Sequence, residues 1–162
     1  MNEAYCRRAA AAVRRTGTAR RPFALPGAKP RYAPDRPASI EHIALTLSFE
    51  FKEHILYGSC RTTFSAVGKP LRSLEMDADH LHIKSVRNAS GKKLSFELIG
   101  GKLLIDLGQT LQPGKSSTVA VDYEARQPNQ GIYFISPDKQ YPKKPVQVWT
   151  QGQDQDAHYW FP

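Results

Sequence analysis

Several scarcities bound what this 162-residue chain can be. Long apolar runs are missing, and no stretch approaches the ~18–20 residues that a membrane-spanning helix needs. Cysteine is nearly absent. Cys6 and Cys60 cannot build a disulfide framework, and both read as free thiols. The signatures of several chemistries are missing too. There is no Gly-x-Ser-x-Gly, no His-Glu-x-x-His helix and no Cys-x-x-Cys pair. The Gly100-Gly101 pair leads into a strand pattern rather than a helix, which excludes a phosphate-cradling loop. Acidic residues are scarce in one region only. Residues 1–36 carry nine basic side chains against Glu3 and Asp35, so nearly all of the net charge of +8 sits there. The remaining residues carry 14 basic and 13 acidic side chains, so the body of the protein is close to neutral. Basicity is therefore no argument for nucleic acid as the partner of that body. Its strand cations Lys84, Arg87, Lys92 and Lys93 are scattered and balanced, as on a solvated face.

Two regions are present. Over residues 1–38, Pro22, Pro26, Pro30, Pro34 and Pro37 recur every three or four positions, which forbids a continuous helix and favours extended backbone. This is expected to be a basic, Pro-rich flexible extension. It has no apolar segment of the kind a secretory signal needs; organelle targeting by its arginines stays open. With no signal or span, the expected location is cytoplasmic.

From residue 39 to 162 the period changes to two. Ile43, Leu45, Leu47, Phe49 and Phe51 alternate with polar residues, which predicts a strand with one apolar face. Lys52-Glu53-His54 breaks it, and Gly58 opens a second run through Cys60, Thr62 and Phe64. Leu74, Met76 and Ala78 alternate again, followed by Leu81 and Ile83. Leu94, Phe96 and Leu98 then lead through Gly100-Gly101 to Leu103, Ile105 and Leu107. A Gly pair between alternating runs supplies the positive φ of a tight hairpin. Pro113-Gly114 turns the chain into Val119, Val121 and Tyr123, and 132–135 and 146–149 read as two last short strands. Eight or nine strands and no helical period predict an all-β, antiparallel, bent sandwich.

His80 and His82 lie two apart, which in a strand puts both imidazoles on one face and would suit a zinc ion given a third ligand. The intervening Leu81 and following Ile83 make that face the solvent face, so no metal site is expected here. The C-terminal end differs in character. Val146 to Thr150 runs into the amides and carboxylates of Gln151, Gln153, Asp154, Gln155 and Asp156, and then into Tyr159, Trp160 and Phe161. Acceptor oxygens beside aromatic faces suit recognition of an ammonium on an apolar neighbour, and equally suit a surface loop with an aromatic anchor.

The segments Gln147-Val148-Trp149-Thr150-Gln151-Gly152-Gln153 and Tyr159-Trp160-Phe161-Pro162 resemble the end of the N-terminal domain of aminopeptidase N-type zinc metallopeptidases. The strand Ile43 to Phe51, Leu74 to Ala78, Gly131 to Phe134 and Tyr141 to Pro145 agree with it in order and spacing. The resemblance implies a saddle-like β-domain that packs on a thermolysin-like catalytic domain and sends a loop into its cleft. It implies that Gln151, Gly152 and Gln153 bind substrate, a peptide N-terminus: Gln153 helps hold the α-amino group and Gln151 shapes the first side-chain pocket. Many relatives carry Glu at the position of Gln153; an amide still accepts a hydrogen bond but lacks the charge. Ala157-His158 also replaces a small residue followed by Arg. The family's zinc ligands and general base belong to the catalytic domain, and this chain has none of them. The expectation is therefore a fragment without catalytic residues, without zinc and without peptidase activity of its own, and without nucleic acid or membrane as partner. The alternative is a non-catalytic scaffold or interaction domain on the same fold.

Overall fold

The computed structural model describes residues 36–162. The greater part of the predicted extension, and Cys6 with it, lies outside the described residues. Nine strands follow in order: β1 Ala38–Glu50, β2 Ile55–Ala66, β3 Leu71–Asp77, β4 Leu81–Asn88, β5 Phe96–Ile99, β6 Lys102–Leu111, β7 Ser116–Arg126, β8 Ile132–Ile135 and β9 Gln147–Thr150. One short 3-10 turn, Asp156–Tyr159, comes after them. All pairings are antiparallel. They form a four-stranded sheet in the order β1-β2-β7-β4, a three-stranded sheet β3-β6-β5 and the hairpin β8-β9. The chain is the all-β, antiparallel sandwich that the period-two pattern predicts.

The core comes from alternation on both sheets. Leu56, Cys60 and Phe64 of β2 and Val119, Val121 and Tyr123 of β7 point to one face, and meet Leu74 of β3 with Leu103 and Ile105 of β6. Two observations correct the sequence reading there. Gly58 does not open a strand after a break; it lies inside β2, opposite Tyr123. Its role is packing: a Cβ at Gly58 would stand 2.2 Å from Cζ of the Tyr123 ring, so only hydrogen fits. The chain reversal lies at residues 51–54, where the Lys52-Glu53-His54 break predicts it, and His54 takes φ 52° there. Likewise His80 is not in a strand. It sits in the β3–β4 turn at φ 56°, so it does not alternate with His82. Among the described residues no three His, Cys, Asp or Glu side chains converge as metal ligands.

The Gly100-Gly101 hairpin is as expected, with φ 57° and 77° between β5 and β6. The apolar face of β1 is less covered than its pattern suggests. Leu45 and Leu47 are half-buried, while Ile43 and Phe49 are 42% and 37% exposed. β1 is an outer strand of its sheet, and Ile43 lines an open cavity with Met76 and Phe161.

The opposite face of the four-stranded sheet carries an ion network. Glu124 on β7 is nearly buried; Lys84 approaches it at 3.0 Å and Arg126 Nε donates to it at 2.7 Å. Arg126 first, then Lys84, holds this carboxyl below the usual range. Burial pushes the neighbouring Asp122 upward, but the hydroxyls of Ser85 and Ser59 and the Arg87 guanidinium outweigh it and lower the group.

Candidate functional site

The polar cluster Gln151-Gly152-Gln153 leaves the end of β9, and its position is set from both sides. On the upstream side β9 pairs with β8, with Ile132 opposite Thr150 and Tyr133 opposite Trp149. The backbone N–H of Gln151 then donates to Gly131 O at 2.9 Å, extending the ladder by one residue. β8 itself is anchored through Ile132, which is fully buried in the core. The Tyr133 and Trp149 rings stack at 4.5 Å, so the strand that delivers the loop is stiffened by a cross-strand aromatic pair.

On the downstream side the chain turns back through Asp156–Tyr159 and is pinned at three points. Asp79 N–H donates to His158 O at 3.1 Å, which ties the turn to the β3–β4 connection. The His80 ring stacks on Tyr159 at 5.9 Å. Cys60 Sγ, inside the core, donates to Pro162 O at 3.4 Å. Burial raises the pKa of that thiol, so it stays protonated as a donor. Gly131 joins the two sides. It takes φ 74°, and a Cβ there would stand 2.2 Å from Asp156 O and 2.9 Å from Trp160 Cδ1. The chain before β8 and the chain after the loop thus touch through a position only glycine can fill.

Between these fixed ends the loop faces solvent. Gln151, Gly152 and Gln153 are all exposed. Neither glutamine side chain hydrogen-bonds to the described residues, so two carbonyl oxygens and two amide groups are free for an external molecule. Gly152 has no internal reason to be glycine: its φ is not left-handed, and nothing lies within 4 Å of where a Cβ would be. Its missing side chain leaves the backbone open to approach. The Gln153–Asp154 peptide is cis. Sequence reading identified the loop but not its supports. Gly131 acts on it from 20 residues away and Asp79 and His80 from more than 70, and no short motif links them.

Comparison with known proteins gives a consistent set of findings. The Peptidase M1 N-terminal domain family matches residues 37–162. A search of curated protein sequences found no match. Among solved structures, yeast LTA4 hydrolase aligns with TM-score 0.64 and 18% identity over 78% of this chain and 20% of its own. The M1 zinc metallopeptidase from Deinococcus radiodurans aligns with TM-score 0.52 and 21% identity over 59% of this chain and 22% of its own. A variant of that enzyme bound to a Tyr-Ser-Ala substrate aligns with TM-score 0.51 and 19% identity, over 63% and 22%. The chain spans about a fifth of the length of these structures. No helix among the described residues is long and apolar enough to cross a membrane.

Proposed function

Because the chain belongs to the Peptidase M1 N-terminal domain family, we propose that it is the substrate-anchoring domain of a zinc-dependent aminopeptidase, working in the cytoplasm on peptide N-termini. The observation that carries this reading is the Gln151-Gly152-Gln153 loop, exposed and unbonded yet fixed at both ends.

The chemistry is positional. A peptide N-terminus at neutral pH presents an ammonium with up to three N–H donors. The amide oxygens of Gln151 and Gln153 can each accept one, and the open space beside Gly152 leaves room for the substrate against the loop. Anchoring the ammonium at a fixed point sets which peptide bond lies beyond it, one residue away, which is the geometric basis of removing single residues. Zinc, in this reading, is held by a thermolysin-like catalytic domain. In the same reading this chain supplies binding and orientation, and the catalytic domain supplies the chemistry.

The test compares the purified chain with a polypeptide uniting it with an M1 catalytic domain, both assayed on an aminoacyl anilide. The chain alone should neither hydrolyse the anilide nor bind stoichiometric zinc, and the united protein should do both. Hydrolysis by the chain alone would overturn the reading. A united protein that folds and binds zinc, yet ignores the free amine, favours the scaffold alternative.

A further inference from the structure

Three non-glycine residues among those described take a left-handed φ: His54 at 52°, His80 at 56° and Gln127 at 47°. Such a backbone is costly for a residue with a Cβ and free for glycine, so each needs a reason in the surrounding structure. The three lie far apart in sequence but converge on the roots of one loop. His80 stacks on Tyr159, in the turn downstream of Gln151-Gly152-Gln153. Gln127 stands just past the end of β7, where the chain leaves for β8, and its backbone N–H donates to His54 O at 2.8 Å. His54 closes the turn between β1 and β2.

The His54 side chain reaches β8 itself. β8 has only four residues, and alternation puts Ile132 and Phe134 on one of its faces. Ile132 is fully buried in the core. Phe134 meets the end of β1 and the turn after it. The His54 ring lies nearly parallel to it, with centroids 5.3 Å apart and 16° between the planes. Phe49 and Phe51 meet the same ring T-shaped, at 6.1 and 5.8 Å. From Phe134 the path to the loop is short. Phe134 pairs with Val148 and Ile132 with Thr150 across the β8–β9 ladder, and Gly131 O then accepts the Gln151 N–H at 2.9 Å. A shift of β8 therefore carries Gln151 with it.

We infer that His54 is a positioning residue for the Gln151-Gly152-Gln153 loop, acting through Phe134. Its ring clamps Phe134 and so fixes β8 and the Gly131–Gln151 hydrogen bond. Glycine would suit φ 52° better, but would leave Phe134 without its stacked partner. His54 fixes the loop whatever the loop binds; an effect on substrate follows only from the anchoring role proposed above.

Native-state hydrogen exchange, followed by NMR on the full chain, tests this at the Gln151 N–H. His54→Gly removes the ring without straining the turn. It should speed exchange at Gln151 and along β8 and β9 by about threefold to tenfold, while the amides between β2 and β7 keep their protection. His54→Tyr returns a planar ring and should restore most of the protection. Phe134→Leu should loosen the same amides, and adding His54→Gly to it should change little more, because the stack is already gone. That non-additivity separates a clamp through Phe134 from a general loss of stability. Unchanged exchange at Gln151 in His54→Gly overturns the inference, and so do additive effects of the two substitutions. Should His54→Gly fail to fold, unchanged exchange at Gln151 in Phe134→Leu overturns it equally. In a polypeptide uniting this domain with an M1 catalytic domain, His54→Gly should also lower kcat/KM on a free-amine substrate. Faster exchange at Gln151 with kcat/KM unchanged supports the positioning role and overturns the anchoring one.

Discussion

Replacing Gly131 with alanine should loosen the Gln151-Gly152-Gln153 loop while leaving the sandwich core chemically untouched. Two costs combine. Gly131 holds φ 74°, a left-handed conformation that costs an L-residue roughly 1–2 kcal/mol. The new methyl would also stand 2.2 Å from Asp156 O, which is backbone and cannot rotate away. Overlap of this kind typically costs about 1–3 kcal/mol through enforced shifts. Together they amount to about 2–5 kcal/mol, a large share of the ~5–15 kcal/mol that holds a domain together. Relief comes most easily by displacing the 156–160 turn, which carries the downstream anchor of the loop. Both tryptophans of the chain, Trp149 and Trp160, lie in this region, so fluorescence-detected urea unfolding reads it directly. The expected result is a lower midpoint by fluorescence, with a smaller shift by far-ultraviolet circular dichroism because the sheets persist. Gly152→Ala is the control. Nothing lies within 4 Å of its Cβ, and it should change stability by less than about 0.5 kcal/mol. A Gly131→Ala chain that unfolds with the wild-type midpoint by fluorescence would refute the claim that this close approach fixes the loop.

Tyr123→Phe should be neutral or stabilising, by about 1 kcal/mol, since the hydroxyl is buried without a hydrogen-bond partner; thermal unfolding checks it, and a clear loss of stability would show that the hydroxyl has a partner after all. The Glu124 carboxyl is held below its ordinary value by Arg126 and Lys84, so it contributes stability above the unfolded pKa of about 4.3 and loses it as pH falls through the depressed folded value. Glu124→Gln should therefore lower stability at neutral pH and make the acid-side decline shallower, the two proteins converging at low pH. Asp122, also lowered, leaves part of that decline in place. Urea midpoints from pH 7 down to 3 measure it, and parallel curves would contradict the ion network's role.

Much of the fold was legible because a half-buried strand writes its burial into every second residue. Val119, Val121 and Tyr123 alternate so regularly that β7 could be placed from the pattern alone, and Gly100-Gly101 marked its hairpin through the φ it allows. Glycine misled at Gly58, where the reason is a ring from β7 lying across β2, a contact between residues 65 apart. The His80–His82 pair misled for a related reason. Strand alternation holds only inside a strand, and the turn at Asp79-His80 lies one residue outside it. For the site, Gln151 to Gln153 stood out as polar residues after an apolar strand. What holds them, the Gly131–Asp156 approach and the Asp79–His158 hydrogen bond, depends on tertiary placement that local pattern does not encode.

The proposal that the Gln151-Gly152-Gln153 loop anchors a peptide's ammonium is tested most directly at Gln153. The measurement is kcat/KM on a free-amine substrate for a polypeptide uniting this domain with an M1 catalytic domain, with and without substitution. A hydrogen bond to a charged group contributes about 1.5–3 kcal/mol, so Gln153→Ala should lower kcat/KM by about tenfold or more. Gln153→Glu should raise it, because a carboxylate binds an ammonium more strongly than an amide does. Values unchanged in both variants would contradict the anchoring role.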